Sequence, residues 1–233
     1  MRPLLFSAIL AFLAACGISD GTVASDPIRR AVGWYPFAGG EDLRADCVAG
    51  APGRYRFVYN GVWEEQVRVY ELSFAEASQG ATLRTTVIRG APLILNAYVL
   101  DRASSAVAET RLDPARLSAL VGALRSAGFQ TQPADGTRLQ SNDFYWLVSA
   151  CADGVWHLNA WRRQDPAFAR LAFDRLLFEA DPTGVPVNPP RPIDPAQPRL
   201  DYSVGVGGRG GTMGRSFELA IRGGRLWGIL GAS

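Results

Sequence analysis

The stretch 143–161 constrains this chain more than any other, because it leaves neither face of a sheet free for solvent. Asp153-Gly154 between two runs of strand formers signals a two-residue hairpin turn. With that turn, Cys151 faces Trp156, Ala150 faces His157 and Trp146 faces Trp161. Alternation then puts Tyr145, Leu147, Cys151, Trp156 and Leu158 on one face, and Phe144, Trp146, Val148, His157 and Trp161 on the other. Both sets are largely apolar, so both faces must be covered. A one-residue slip would exchange the two sets.

The remaining pattern supplies material for both covers. Residues 54–60 alternate, with Tyr55, Phe57 and Tyr59 on one side, and Asn60-Gly61 signals a hairpin returning over 63–74. Further strands are expected over 82–89 and 93–100, which makes the first half an antiparallel meander. Asp113-Pro114 opens a helix with a capping side chain and a proline tolerated at its first position. Leu117, Leu120, Val121 and Leu124 form its apolar stripe, Gly128 ends it, and Phe129 is expected to fold back on the stripe. Asp165-Pro166 repeats the opening device for a helix running to Glu179, stopped by Asp181-Pro182.

Residues 182–198 are proline-rich and extended, as a spacer or as a strap across the domain. Residues 200–206 and 216–229 are expected as two strands around a glycine-rich loop. The expected class is α+β: a mostly antiparallel sheet of roughly six to eight strands, two helices packed on it, a proline-rich strap and a C-terminal β-hairpin. The expected divisions are 1–15, an export signal; 16–31, a flexible tether; 32–181, the domain; 182–198, the strap or linker; and 199–233, strands packed on the same domain.

The division at residue 16 rests on the amino terminus. Arg2, an apolar run over 3–13 and small residues before Cys16 are the parts of a secretory signal. The run falls short of the roughly 20 residues that cross a bilayer as a helix. Leu13-Ala14-Ala15-Cys16 resembles the lipobox of bacterial lipoproteins. That resemblance implies cleavage before Cys16, a diacylglyceryl thioether on its sulfur, and an acylated amino group carrying a chain of the palmitate type. It also implies a periplasm-facing place in the cell envelope, with the membrane as first partner. Gly17, where an Asp would be the exception, favours the outer membrane by the sorting pattern of enteric bacteria.

Once Cys16 carries lipid, Cys47 and Cys151 remain of the three cysteines. Two thiols exported to an oxidising compartment are expected to pair, two separate buried thiols being the alternative. All 24 basic residues are Arg, so no Schiff-base or phosphate-loop lysine exists. The net charge of +2 gives no footprint for nucleic acid.

Candidate chemistry is sparse. His157 is the one histidine, which excludes a three-histidine zinc site, and no nucleophile elbow accompanies Ser149. Residues 205–210 spell G-x-G-x-x-G, but strand formers follow and Arg225 stands where a ribose-binding acid would be needed, so a loop is expected. Glu64 and Glu65 point to opposite faces of a strand, and Glu65 and Glu71 share a face at wide spacing. No catalytic residue, metal or cofactor is therefore expected. Six tryptophans (Trp34, Trp63, Trp146, Trp156, Trp161 and Trp227) are the one feature pointing to binding, with Trp146, His157 and Trp161 as the candidate binding face.

The run 112–178 contains LDPARLSALVGALRSAGF, FYWLVSACADGVWHLNAW and DPAFARLAFDRLLF. It resembles small bacterial domains of unknown function, a likeness that informs fold alone. The expected role is a non-enzymatic binding module for an envelope protein or glycan. The alternatives are a hydrolase of envelope material and an assembly lipoprotein that donates a strand.

Overall fold

A computed structural model describes residues 33–74, 80–89, 94–96, 99–100, 105–131, 133, 135–193 and 217–229. The apolar, β-branched and aromatic runs pair as strands β1 (Arg54–Gly61), β2 (Gln66–Phe74) and β3 (Ala81–Arg89), an antiparallel meander. Among the described residues, strands β4 (Ile94–Asn96) and β5 (Val99–Leu100) pair only with each other, and β6 (Ser105–Leu112) pairs with β3. After the helix α3 described below, β7 (Arg138–Gln140) precedes the hairpin of β8 (Phe144–Ala152) and β9 (Val155–Arg162). Strand β8 docks antiparallel to β1, giving a six-stranded sheet in the order β6-β3-β2-β1-β8-β9. The fold is α+β and mostly sheet.

The hairpin has the register its turn implies: Cys151 opposite Trp156, Ala150 opposite His157, Trp146 opposite Trp161. Asp153 (φ 52) and Gly154 (φ 74) are both left-handed, as a tight turn matched to strand twist demands. Both faces are covered. On one lie helices α3 (Pro114–Ser126) and α4 (Phe173–Glu179), over Phe57, Tyr59, Phe144, Trp146, Val148 and Trp161. On the other lie the short helices α1 (Tyr35–Ala38) and α2 (Glu41–Ala45) and a second sheet of β7, β10 (Glu218–Arg222) and β11 (Arg225–Ile229). Leu139, Leu219, Ile221 and Leu226 of this small sheet pack with Val58, Tyr145, Leu147 and Leu158 of the large one.

Helix α3 has the ends its sequence specifies. The Asp113 carboxylate accepts a hydrogen bond from the Arg116 amide at 2.9 Å, Gly128 is left-handed at φ 79, and Phe129 is buried against Leu120 and Leu124. Asn159 of β9 then donates to the carbonyls of Gly128 (3.0 Å) and Thr131 (2.7 Å), fastening the loop after the helix to the sheet edge.

Four local expectations are corrected. Asn60-Gly61 is not the turn: the ladder continues to Gly61 opposite Gln66, and residues 62–65 reverse the chain with Val62 at φ 66. Tertiary bonds hold that arrangement, since the buried Asn60 amide donates to the carbonyls of Ser141 (2.8 Å) and Asp143 (2.6 Å). The helix expected from Asp165 is broken into a 3₁₀ turn (Phe168–Arg170), an extended Leu171 and α4. Asp165 is drawn back onto Arg162, accepting from its amide (2.9 Å) and its guanidinium (2.6 Å).

The strand expected over 93–100 is the separate β4–β5 pair, while β6, with Val107 as its one large apolar residue before Leu112, carries too little strand signal to be read. Residues 216–229, expected as one strand, turn at Gly223-Gly224 into β10 and β11. The glycine-rich run 205–210 and the strand expected over 200–206 lie outside the described residues.

Of the segment 182–198, residues 182–193 are a strap and not a spacer, and 194–198 lie outside the described residues. Val187 and Ile193 pack on the helical side of the core, and Gln66 donates to the Pro186 carbonyl at 2.9 Å. Tyr59 donates to the Asn188 carbonyl at 2.7 Å, and Asn188 donates to that of Gly61 at 2.7 Å.

Candidate functional site

The alternation that carries the hairpin also decides where its aromatics go. Trp146 is 0% exposed and Trp161 4%, both beneath the helices with ring centroids 5.3 Å from Phe173. These two residues are core and do not form the open binding face expected of them. His157 lies on the same side of β9, half-buried beside Phe129 (5.5 Å between rings), with Nδ1 buried and unpartnered. Burial holds its imidazole below the ordinary pKa, only partly offset by the Asp153 charge. Trp34 and Trp63 are core as well, in edge contact at 5.0 Å on the opposite side of the sheet.

The acidic residues are engaged in structure. Glu65 sits in the 62–65 turn and not on β2, so it does not share a strand face with Glu71. It accepts from Arg191 of the strap at 2.6 Å, while Glu71 accepts from Arg56 at 2.8 Å. Arg56 is buried and forks onto Asp42 (2.7 and 2.8 Å), with its guanidinium 3.9 Å above the Phe37 ring. Burial works to raise the Asp42 carboxyl, but the Arg56 hydrogen bonds and charge outweigh it and hold the group below the ordinary carboxylate range.

On the helical side, Arg68 binds Gln66 (2.8 Å), the Val185 carbonyl (2.6 Å) and Asp181. Asp181 also accepts from the Tyr70 hydroxyl at 3.1 Å and from Thr183 at 2.6 Å. These clusters tie α2 and the strap to the sheet and present no carboxylate pair flanking a cleft.

Cys47 and Cys151 stand at disulfide distance, with Sγ atoms 2.02 Å and Cα atoms 5.4 Å apart, linking the segment after α2 to β8. Cys16 lies outside the described residues. Among the described residues, no cluster of three or more His, Cys, Asp or Glu could hold a metal ion, and no helix is long and apolar enough to cross a membrane.

Trp227 on β11 is the exposed tryptophan, at 53%, while Trp156 is half-buried with its Nε1 donating to the Gly224 carbonyl at 3.5 Å. Its neighbours Leu226 and Gly228 face inward, and a Cβ added at Gly228 would lie 2.0 Å from the Tyr35 ring, so the strand is seated tightly on α1. Alternation then places Arg138, Ala220 and Trp227 in one outward row across β7, β10 and β11. The paired Arg222 and Arg225 form the next row toward the turn, and Gln140 and Glu218 the row on the other side.

Ala220, 1% exposed, lies buried between Trp227 and Arg138. Arg138 donates to Glu218 at 2.8 Å, and Arg225 lies 3.8 Å from Glu41. The sequence names Trp227 among the tryptophans without singling it out. Its exposure was legible only in the alternation of Arg225-Leu226-Trp227-Gly228 against a strand facing a core.

Comparison with protein-family models, with curated proteins and with solved structures yields no match to this chain.

Proposed function

We propose that this chain is a bacterial envelope lipoprotein, anchored by lipid on Cys16, whose folded domain is a binding module and not an enzyme. The observation that carries the reading is Leu13-Ala14-Ala15-Cys16 behind an apolar run too short to span a bilayer. The proximity of Cys47 and Cys151 supports it, because a linked pair is at home in an oxidising compartment. The domain faces the periplasm, from the outer membrane.

Binding is favoured over hydrolysis by the engagement of Glu65 and Glu71 with Arg191 and Arg56. It is favoured over strand donation by the pairing of β10 with both β7 and β11 within the chain. The face that suits binding is the outer side of the small sheet around Trp227.

The anchor is tested by Cys16→Ser. The variant is expected in the soluble fraction with its fold intact by circular dichroism, while the parent chain sediments with membranes. Continued sedimentation of the variant defeats the reading.

A further inference from the structure

The row Arg138-Ala220-Trp227 and the pair Arg222-Arg225 form a flat patch on the outer side of β7, β10 and β11. Neighbouring strands are about 4.8 Å apart and same-face residues about 7 Å along a strand, so the patch is roughly 10 Å across by 7 Å long. Its exposed apolar element is the Trp227 indole on the edge strand β11, beside the buried Ala220 of the central strand β10. The side chains of Arg138 and Arg225 are about half open to solvent, and Arg222 is exposed. Glu218, the carboxylate in these rows, has only 11% of its side chain exposed, beneath Arg138. Glu41 lies beside Arg225 on α2, and Asp135 accepts from the Gly223 amide at the turn (3.0 Å), at the margin of the patch. The guanidiniums of Arg138 and Arg225 are more open to solvent (58% and 49%) than the carboxylates paired with them, Glu218 (11%) and Glu41 (32%).

The amino-terminal end of the described residues is adjacent. Tyr35, two residues into the described chain, packs its ring on Gly228, the residue after Trp227. A coil of the length between Cys16 and Gly33 reaches on the order of 20 Å. An anchor at Cys16 therefore holds the Trp227 patch within reach of the bilayer that carries it, at high effective concentration.

We infer that the Trp227 face is a second membrane contact: it lies on an anionic phospholipid surface, with Trp227 at the headgroup level and Arg138, Arg222 and Arg225 among lipid phosphates. This inference rests on the anchored reading above and names the partner of that binding face. The indole, apolar with one polar N–H, partitions to the bilayer interface. Arginines close to an anionic leaflet are attracted over about one Debye length, roughly 10 Å at 0.1 M salt. Lipid chains combined with a cationic aromatic patch are a two-signal attachment, which fixes the orientation of the domain as well as its location.

The test uses the full lipidated chain in vesicles of phosphatidylcholine alone and of phosphatidylcholine with phosphatidylglycerol, with and without brominated acyl chains. Brominated lipid is expected to quench tryptophan emission in the phosphatidylglycerol vesicles, and salt is expected to reduce the effect. Trp227→Phe should remove most of the quenching, leaving at most the share of the half-buried Trp156, and Arg222→Gln with Arg225→Gln should weaken it severalfold. Quenching undiminished by Trp227→Phe, or that is equal in the two lipid compositions or absent from both, overturns the inference. So does protection of Trp227 from aqueous acrylamide by soluble murein fragments or an envelope protein without lipid, which would assign the face to that partner. The mass of the amino-terminal peptide reports acylation of Cys16 independently. A chain without acyl mass defeats the anchored reading, and vesicle addition to that unanchored chain then decides the face by the same quenching.

Discussion

Arg68 is the residue whose environment departs furthest from its ordinary preference. Its side chain is 0% exposed and that of its partner Asp181 only 4%. Breaking a buried pair by removing one partner leaves the other charge uncompensated, at a cost of about 3–5 kcal/mol. We predict that Asp181→Ala destabilises the domain by about that amount in urea unfolding, and that loss below about 1 kcal/mol would show that water satisfies Arg68.

His157 carries the second prediction at this scale. Burial lowers its folded pKa, so as pH falls the unfolded chain takes the proton first. Stability contributed by the neutral ring is full above the ordinary histidine value of about 6.5, and is lost as pH falls from there through the depressed folded value. His157→Gln should remove that part of the acid decline, measured by urea unfolding across pH. An unchanged slope would place the decline elsewhere. His157 was visible in the sequence as the only histidine, but its half-burial against Phe129 came from the folding of the loop after α3.

Among elements, the contrast between the two Asp-Pro helix openings is instructive. Asp113 caps its helix with one carboxylate oxygen while the Arg116 guanidinium stands 3.8 Å from the other, whereas Asp165 is held by Arg162 across a turn. The two dipeptides look alike in sequence, and the difference is made by what stands three residues before Asp165. The loop closing α3 is held from outside the helix by Asn159, which binds the carbonyls of Gly128, Phe129 and Thr131. Asn159→Ala should therefore cost about 1–3 kcal/mol, the range for leaving buried acceptors unsatisfied. Amide exchange should quicken selectively over 127–131. A uniform quickening across the domain would show that the loop is not an independent unit.

At the scale of the whole molecule, the Cys47–Cys151 link joins residues 104 apart in sequence. In the chain-entropy account, a closure of that length stabilises a fold by about 4–5 kcal/mol. The paired change of Cys47 and Cys151 to Ser should lower the unfolding free energy toward that extent, compared with the oxidised parent. If reductant leaves the parent's stability unchanged, the link contributes nothing or is absent. The same link ties the segment after α2 to the central strand β8. Its loss should loosen the cover of α1 and α2 more than the helical side.

The sequence by itself determined the class of fold, the register of the β8–β9 hairpin, the ends of α3 and the need to cover both sheet faces. Each of these follows from local stereochemistry: strand alternation, a left-handed turn at Asp153-Gly154, a capping carboxylate, a terminating glycine. Tertiary structure alone decided that Asn60-Gly61 is strand and not turn, that the proline-rich segment is bound, and that Trp146 and Trp161 are core while Trp227 is open. Those outcomes depend on partners such as Ser141, Arg68 and Tyr35, distant in the chain, whose bonds and packing exceed a local preference of about 1 kcal/mol. A tryptophan on a strand has the same alternation whether it faces a helix or water, and only the assembled layers distinguish them.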